Sequence, residues 1–175
     1  RFVRSFLELA ARGISTEGAL NLFKCGLSPF TTEQVGGLEN YCYTWDIRGT
    51  GWNSPFTANP SGFAAALTEQ DEEALAQANA LREYLKNGVD HFCARCGDTA
   101  RSMSTALYDA LEELGVKASL EGIIDGLEQD AQPVLAEDYA RVWEILLELL
   151  DAVVLAAGEV RLTRARFLEL VSLAA

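Results

Sequence analysis

Apolar residues recur every three or four positions along almost the whole chain, the spacing that lines one face of an α-helix. The clearest run follows Pro133, where Leu135, Tyr139, Val142, Leu146, Leu149 or Leu150 and Val153 alternate with Glu144, Glu148 and Asp151. This predicts a long helix with one buried stripe, Trp143 beside Val142 and Leu146 included, ended by a left-handed Gly158. Phe2, Phe6 and Leu9 mark a helical face at the start of the chain. Thr31 and Gln34 have the spacing of a capping box ahead of Val35, Leu38, Cys42 and Trp45. Thr68 and Asp98 are predicted N-caps for segments carrying Leu75, Ala78, Leu85, Val89 and Phe92, and Met103, Leu107, Ala110 and Leu114. Ser15, Ser119 and Thr163 are expected to start shorter helices, and Gly13, Gly26 and Gly115 to stop them.

No segment sustains period-two alternation between turn residues, so no sheet is expected. The fold class is all-α, a bundle or array of about eight helices forming a single helical domain over residues 1–175. One long ordered loop interrupts it between the third and fourth helices, at about residues 46–62. There Gly49, Gly51, Gly62, Pro55, Pro60, Asn53, Asn59 and Ser54 break helical order. A loop of this length inside a domain is usually functional or mobile.

Charge divides the chain. Up to Ala66 five basic residues balance five acidic ones, so the whole net charge of −12 lies beyond that point. Nucleic-acid affinity comes largely from Lys and Arg displacing counterions, so an acidic body repels phosphate and the first part is the better candidate for touching DNA. No apolar run is long enough to cross a bilayer and no secretory signal is visible. Four cysteines in 175 residues do not make a secreted disulfide scaffold, which points to a reducing cytoplasm. The first residue is Arg1 and Met103 is the sole methionine, so the expectation is an internal segment of a longer polypeptide.

Catalytic motifs are sparse. Cys93-Ala94-Arg95-Cys96 is a CxxC, and His91 with Cys25 and Cys42 could in principle complete a tetrahedral metal set. There is no second CxxC, and Cys42 lies on the stripe with Leu38 and Trp45, the place of a buried thiol. His91 is the sole histidine and has no nucleophile at an informative spacing. The carboxylates of Asp71-Glu72-Glu73 and Glu112-Glu113 read as solvated helix faces. No glycine-rich phosphate loop followed by Lys and Ser or Thr is present, so this chain is not expected to bind ATP by itself. No catalytic, cofactor-binding or metal-binding residue is assigned.

What stands out is the loop and the helix leading into it. Arg48 could pair with a phosphate while Trp52 or Phe56 stacks on an unpaired base, the two elements of single-strand binding surfaces. The competing arrangement folds Trp45, Trp52 and Phe56 back as a small core that anchors the loop, with Arg48 paired to Asp46 or a helix carboxylate. Large aromatics bury much surface and need little other reason to do so.

Leu38-Glu39-Asn40-Tyr41, then Trp45, Ile47-Arg48-Gly49 and Trp52, with Gly13-Ile14-Ser15-Thr16-Glu17-Gly18 and Gly26-Leu27 upstream, resembles the B subunit of bacterial AddAB-type ATP-dependent helicase-nucleases. The resemblance continues through Leu81-Arg82, Ala106-Leu107-Tyr108, Leu114-Gly115-Val116 and the run from Tyr139 to Leu150. It implies a helical insertion in the second motor-like domain, between a nucleotide-binding motif and a C-terminal nuclease. The implied parent partners an A subunit, uses ATP and Mg, carries an iron-sulfur cluster in its nuclease portion, and processes broken DNA ends for recombinational repair. None of that cluster is transferred to Cys25, Cys42, Cys93 or Cys96, and this region is expected to be architectural. An acidic helical protein-protein adaptor unrelated to DNA is the alternative, and a small metal or redox protein resting on Cys93 and Cys96 a third.

Overall fold

In the computed structural model, which describes residues 1–63 and 66–174, eight α-helices follow one another without a strand among the described residues. They are α1 (Phe2–Arg12), α2 (Thr16–Phe23), α3 (Thr32–Thr44), α4 (Glu69–Arg95), α5 (Ala100–Glu113), α6 (Val116–Gln129), α7 (Pro133–Ala157) and α8 (Arg164–Ala174). A single 3-10 turn, Gly49–Asn53, lies in the connection between α3 and α4. The all-α class and the loop after the third helix are therefore as expected.

The chain divides into two compact units. One comprises Arg1–Gly26 with Phe30–Asp90, the other Leu27–Pro29 with the residues from His91 onward.

In the first unit α1 packs on α2 and α2 on α3. Phe2, Phe6, Leu7 and Leu9 of α1 are buried, as are Leu20, Leu22 and Phe23 of α2 and Val35, Leu38 and Cys42 of α3. Phe23, Phe30 and Tyr84 form an aromatic cluster, Phe30 meeting each of the other rings edge-on at 5.9 and 5.2 Å. Burial raises the Tyr84 phenol above its ordinary range. Ser15 caps α2 by accepting from Gly18 N, and the Thr31–Gln34 capping box closes in both directions. Thr68 caps α4 reciprocally: its hydroxyl accepts from Asp71 N while the Asp71 carboxylate accepts from Thr68 N.

In the second unit α7 packs on α5, α6 and α8. Cap predictions slip here in two places. Thr99, not Asp98, caps α5, because its hydroxyl reaches Ser102 N while Asp98 is drawn to Arg161. Ser119 lies inside α6, which starts at Val116 after Gly115 takes a left-handed φ of 66°. Gly115 thus stops α5 and launches α6 in one step. The orphan N–H groups of Ala100 and Arg101 at the start of α5 donate to the carbonyls of Val160 and Gly158.

Gly158 departs from expectation. Its backbone stays right-handed at φ −51°, and a Cβ there would lie 2.5 Å from the Val154 carbonyl oxygen and 3.2 Å from the Arg101 guanidinium. Glycine is required for space, not for handedness.

The stripe on α7 also needs correction. Ala136, Leu150 and Val153 are buried with Trp143 half-buried, whereas Leu135 and Val142 face solvent. The inward face is rotated by about one residue from the expected one. α7 is apolar around most of its circumference, so periodicity alone could not select a side.

Candidate nucleic-acid interface

The connection over residues 45–68 is held by side chains from all three neighbouring helices of its unit. Trp52 is fully buried, and its indole Nε1 donates to the Thr16 hydroxyl at 3.1 Å. The same hydroxyl, at the first residue of α2, donates to the Ile47 carbonyl. Phe56 is buried between Tyr41, at 4.9 Å between ring centroids, and Trp52, at 5.7 Å. From α4, Asn79 treats Phe56 as a strand partner would: its Oδ1 accepts from Phe56 N at 2.8 Å and its Nδ2 donates to Phe56 O at 2.9 Å.

Arg82 completes this anchor. It is 5% exposed, donates to Asn79 Oδ1 and the Trp52 carbonyl, pairs with Glu83, and places its guanidinium carbon 5.9 Å from the Phe56 ring centre. A buried guanidinium is costly unless its donors are satisfied, and here the loop backbone supplies part of that satisfaction.

Further along, Ala58 N donates to the Tyr41 hydroxyl and Trp45 Nε1 to the Asn59 carbonyl, each at 3.0 Å. Desolvation raises the Tyr41 phenol, so it remains a neutral acceptor. Ser61 Oγ donates to Asp71 at 2.5 Å, and hydrogen bonds from Ser61 and Thr68 hold the Asp71 carboxyl below the usual range.

Of the three DNA-contact candidates, Trp52 and Phe56 therefore lie inside, with no ring face open to a base. Arg48 alone stays at the surface. Its side chain is 80% exposed and its Nε sits 2.7 Å from Asp46 Oδ1, a pair held in high dielectric that is worth little.

The exposed aromatics of this region are others. Phe63 is 88% exposed and stands 4.2 Å, centroid to centroid, from half-buried Trp45, and Tyr43 is also exposed. The signal for Phe63 was available: a large aromatic straight after Pro60-Ser61-Gly62 has no helical stripe to join. Beside it a polar groove of about 540 Å³ runs between α3 and the start of α4, with Gln34, Asn40, Gln70 and Gln77 among its walls.

The cysteines do not assemble. Among the described residues no three or more of His, Cys, Asp and Glu gather in a way that could hold a metal. Cys42 is buried, with its thiol pushed up to about 12 by desolvation, which disfavours the thiolate that binds metals. Cys96 Sγ points back to the Cys93 carbonyl. His91 and Arg95 both engage Glu113, His91 through Nδ1 at 3.2 Å, and the pair holds the Glu113 carboxyl below its ordinary range. These residues offer no fit to an iron-sulfur cluster.

No known family profile matches the chain. Among curated proteins it is 29% identical, over 95% of its length, to the B subunit of the ATP-dependent helicase/deoxyribonuclease of Desulforamulus reducens. It is 26% identical over 98% of its length to the protein of that name from Clostridium novyi, and 29% over 90% to that of Pelotomaculum thermopropionicum. The chain spans only 14–15% of the length of these relatives. With the order of helices, the anchored loop and this agreement along nearly its whole length, the chain is homologous to a segment of the B subunit of the ATP-dependent helicase/deoxyribonuclease.

Proposed function

We propose that this chain is a non-catalytic helical portion of a helicase/deoxyribonuclease B subunit that, with an A subunit, unwinds and degrades broken DNA ends in an ATP-dependent process serving recombinational repair. The observation that carries the reading is similarity to the B subunit over nearly the entire chain in relatives from different bacteria. ATP with Mg and an iron-sulfur cluster belong, on this reading, to other portions of the polypeptide. The compartment is the cytoplasm. No helix among the described residues is long and apolar enough to cross a membrane, which agrees with that placement.

Within the chain, DNA contact is assigned to the surface of the 45–68 connection. Arg48 offers a phosphate partner, and Trp45 with Phe63 offers a ring face; Trp52 and Phe56 position them from beneath. The test is degradation of linear duplex DNA by the full-length polypeptide with its partner subunit, with and without ATP. ATP-dependent degradation that falls in Arg48→Ala and Phe63→Ala, both still folded by circular dichroism, is the expected result. A full-length complex with no ATP-dependent action on DNA would overturn the family reading; unchanged activity in both variants would remove the DNA contact alone.

A further inference from the structure

α7 carries two apolar stripes with the same seven-residue spacing. The inner one is Ala136, Trp143 and Leu150, extended by Val153, and it packs within the second unit. The outer one, displaced by a single residue, is Leu135, Val142 and Leu149, with Ile145 three positions after Val142. Val142 is 43% and Ile145 58% exposed, and Val134 continues the patch toward the helix start. A seven-residue repeat with an added three-residue step is the seam by which one helix receives another. Contiguous apolar surface of this kind on a helix marks an interaction site rather than ordinary solvent-facing polarity.

The flank of the strip is acidic. Asp138, Glu144 and Glu148 accompany it with Arg141 the sole basic residue between them, and a second copy laid against it would bring like charges together. An occupant with Lys or Arg beside its apolar positions would meet the opposite sign. The relatives are about seven times longer than this chain, which spans 14–15% of them, so most of the polypeptide on that reading lies elsewhere.

We propose that the outer strip of α7 seats an apolar-faced helix with basic flanks supplied by another part of the same polypeptide. The inference rests on this chain being a portion of a helicase/deoxyribonuclease B subunit. It is tested by hydroxyl-radical footprinting with mass spectrometry on the full-length polypeptide without its partner subunit, comparing three valines of identical intrinsic reactivity. Val153 is buried on the inner face of α7, Val160 is 51% exposed, and Val142 lies in the strip. Val142 oxidising as slowly as Val153, several-fold below Val160, is the expected result.

Val142 oxidising as fast as Val160 overturns the proposal. So does protection that arises only on adding the partner subunit, which would make another chain the occupant, or protection lost on dilution, which would make it a second copy. The footprint reads neither ATP nor DNA, so it stands or falls separately from the degradation assay.

Discussion

The 45–68 connection and helix α7 invert each other. The connection is rich in glycine, proline and asparagine, the composition of an exposed loop, yet it places Trp52 and Phe56 in the core. Helix α7 is the most regular apolar segment of the chain, yet it turns Val142 and Ile145 toward solvent. The difference lies in what satisfies the backbone. α7 satisfies its own, so its side chains are free to face any partner, whereas the loop must borrow donors and acceptors and is drawn inward to Thr16, Tyr41, Asn79 and Arg82.

The largest effect should come from the two tryptophans that epitomise the contrast. Trp52→Ala removes a fully buried indole and should cost about 3–5 kcal/mol in urea unfolding. Trp143→Ala removes a half-buried ring whose aromatic neighbour is the exposed Tyr108, and should cost roughly half as much or less. Equal losses would erase the comparison.

Next comes the polar anchor. Asn79→Ala strands the N–H and C=O of Phe56, and leaving buried backbone groups unpaired costs about 1–3 kcal/mol. A change within error would mean that water replaces the amide and the loop is held by its aromatics alone.

A smaller effect is expected from acid. The Asp71 carboxyl is depressed in the folded chain, so its contribution is fully present above the unfolded-state value of about 4 and is lost as pH falls through the lower folded value. Urea midpoints between neutral pH and pH 2 should fall less steeply for Asp71→Asn than for the wild type. Parallel curves would show that Ser61 and Thr68 do not favour the charged form.

The smallest belongs to Arg48. Its pair with Asp46 is solvent-exposed, so Arg48→Ala should change stability by no more than about 0.5 kcal/mol. A larger loss would make Arg48 a structural residue and weaken its assignment to DNA.

How far these features were legible depends on sequence distance. The Thr31–Gln34 box and the extent of the loop rest on interactions within a few residues, and both can be read from the chain. Cap identity at Asp98-Thr99 could not, because the choice is made by Arg161. The inward turn of Trp52 and Phe56 depends on Thr16 and on Asn79 and Arg82, residues more than twenty positions away that periodicity does not connect. On α7 the obstacle was different: two stripes one residue apart give the same period, and only the packing of α5, α6 and α8 decides between them.

Thr16 also bears on the order in which the first unit assembles. A single hydroxyl grips Ile47 and Trp52 across separations of 31 and 36 residues, so neither bond can form until the intervening chain has closed on itself. Local helices are in place long before such a closure, which makes the loop a late arrival rather than a folding nucleus. Replacing that hydroxyl with a methyl, as in Thr16→Val, should therefore leave the refolding rate near that of the wild type and appear as faster unfolding.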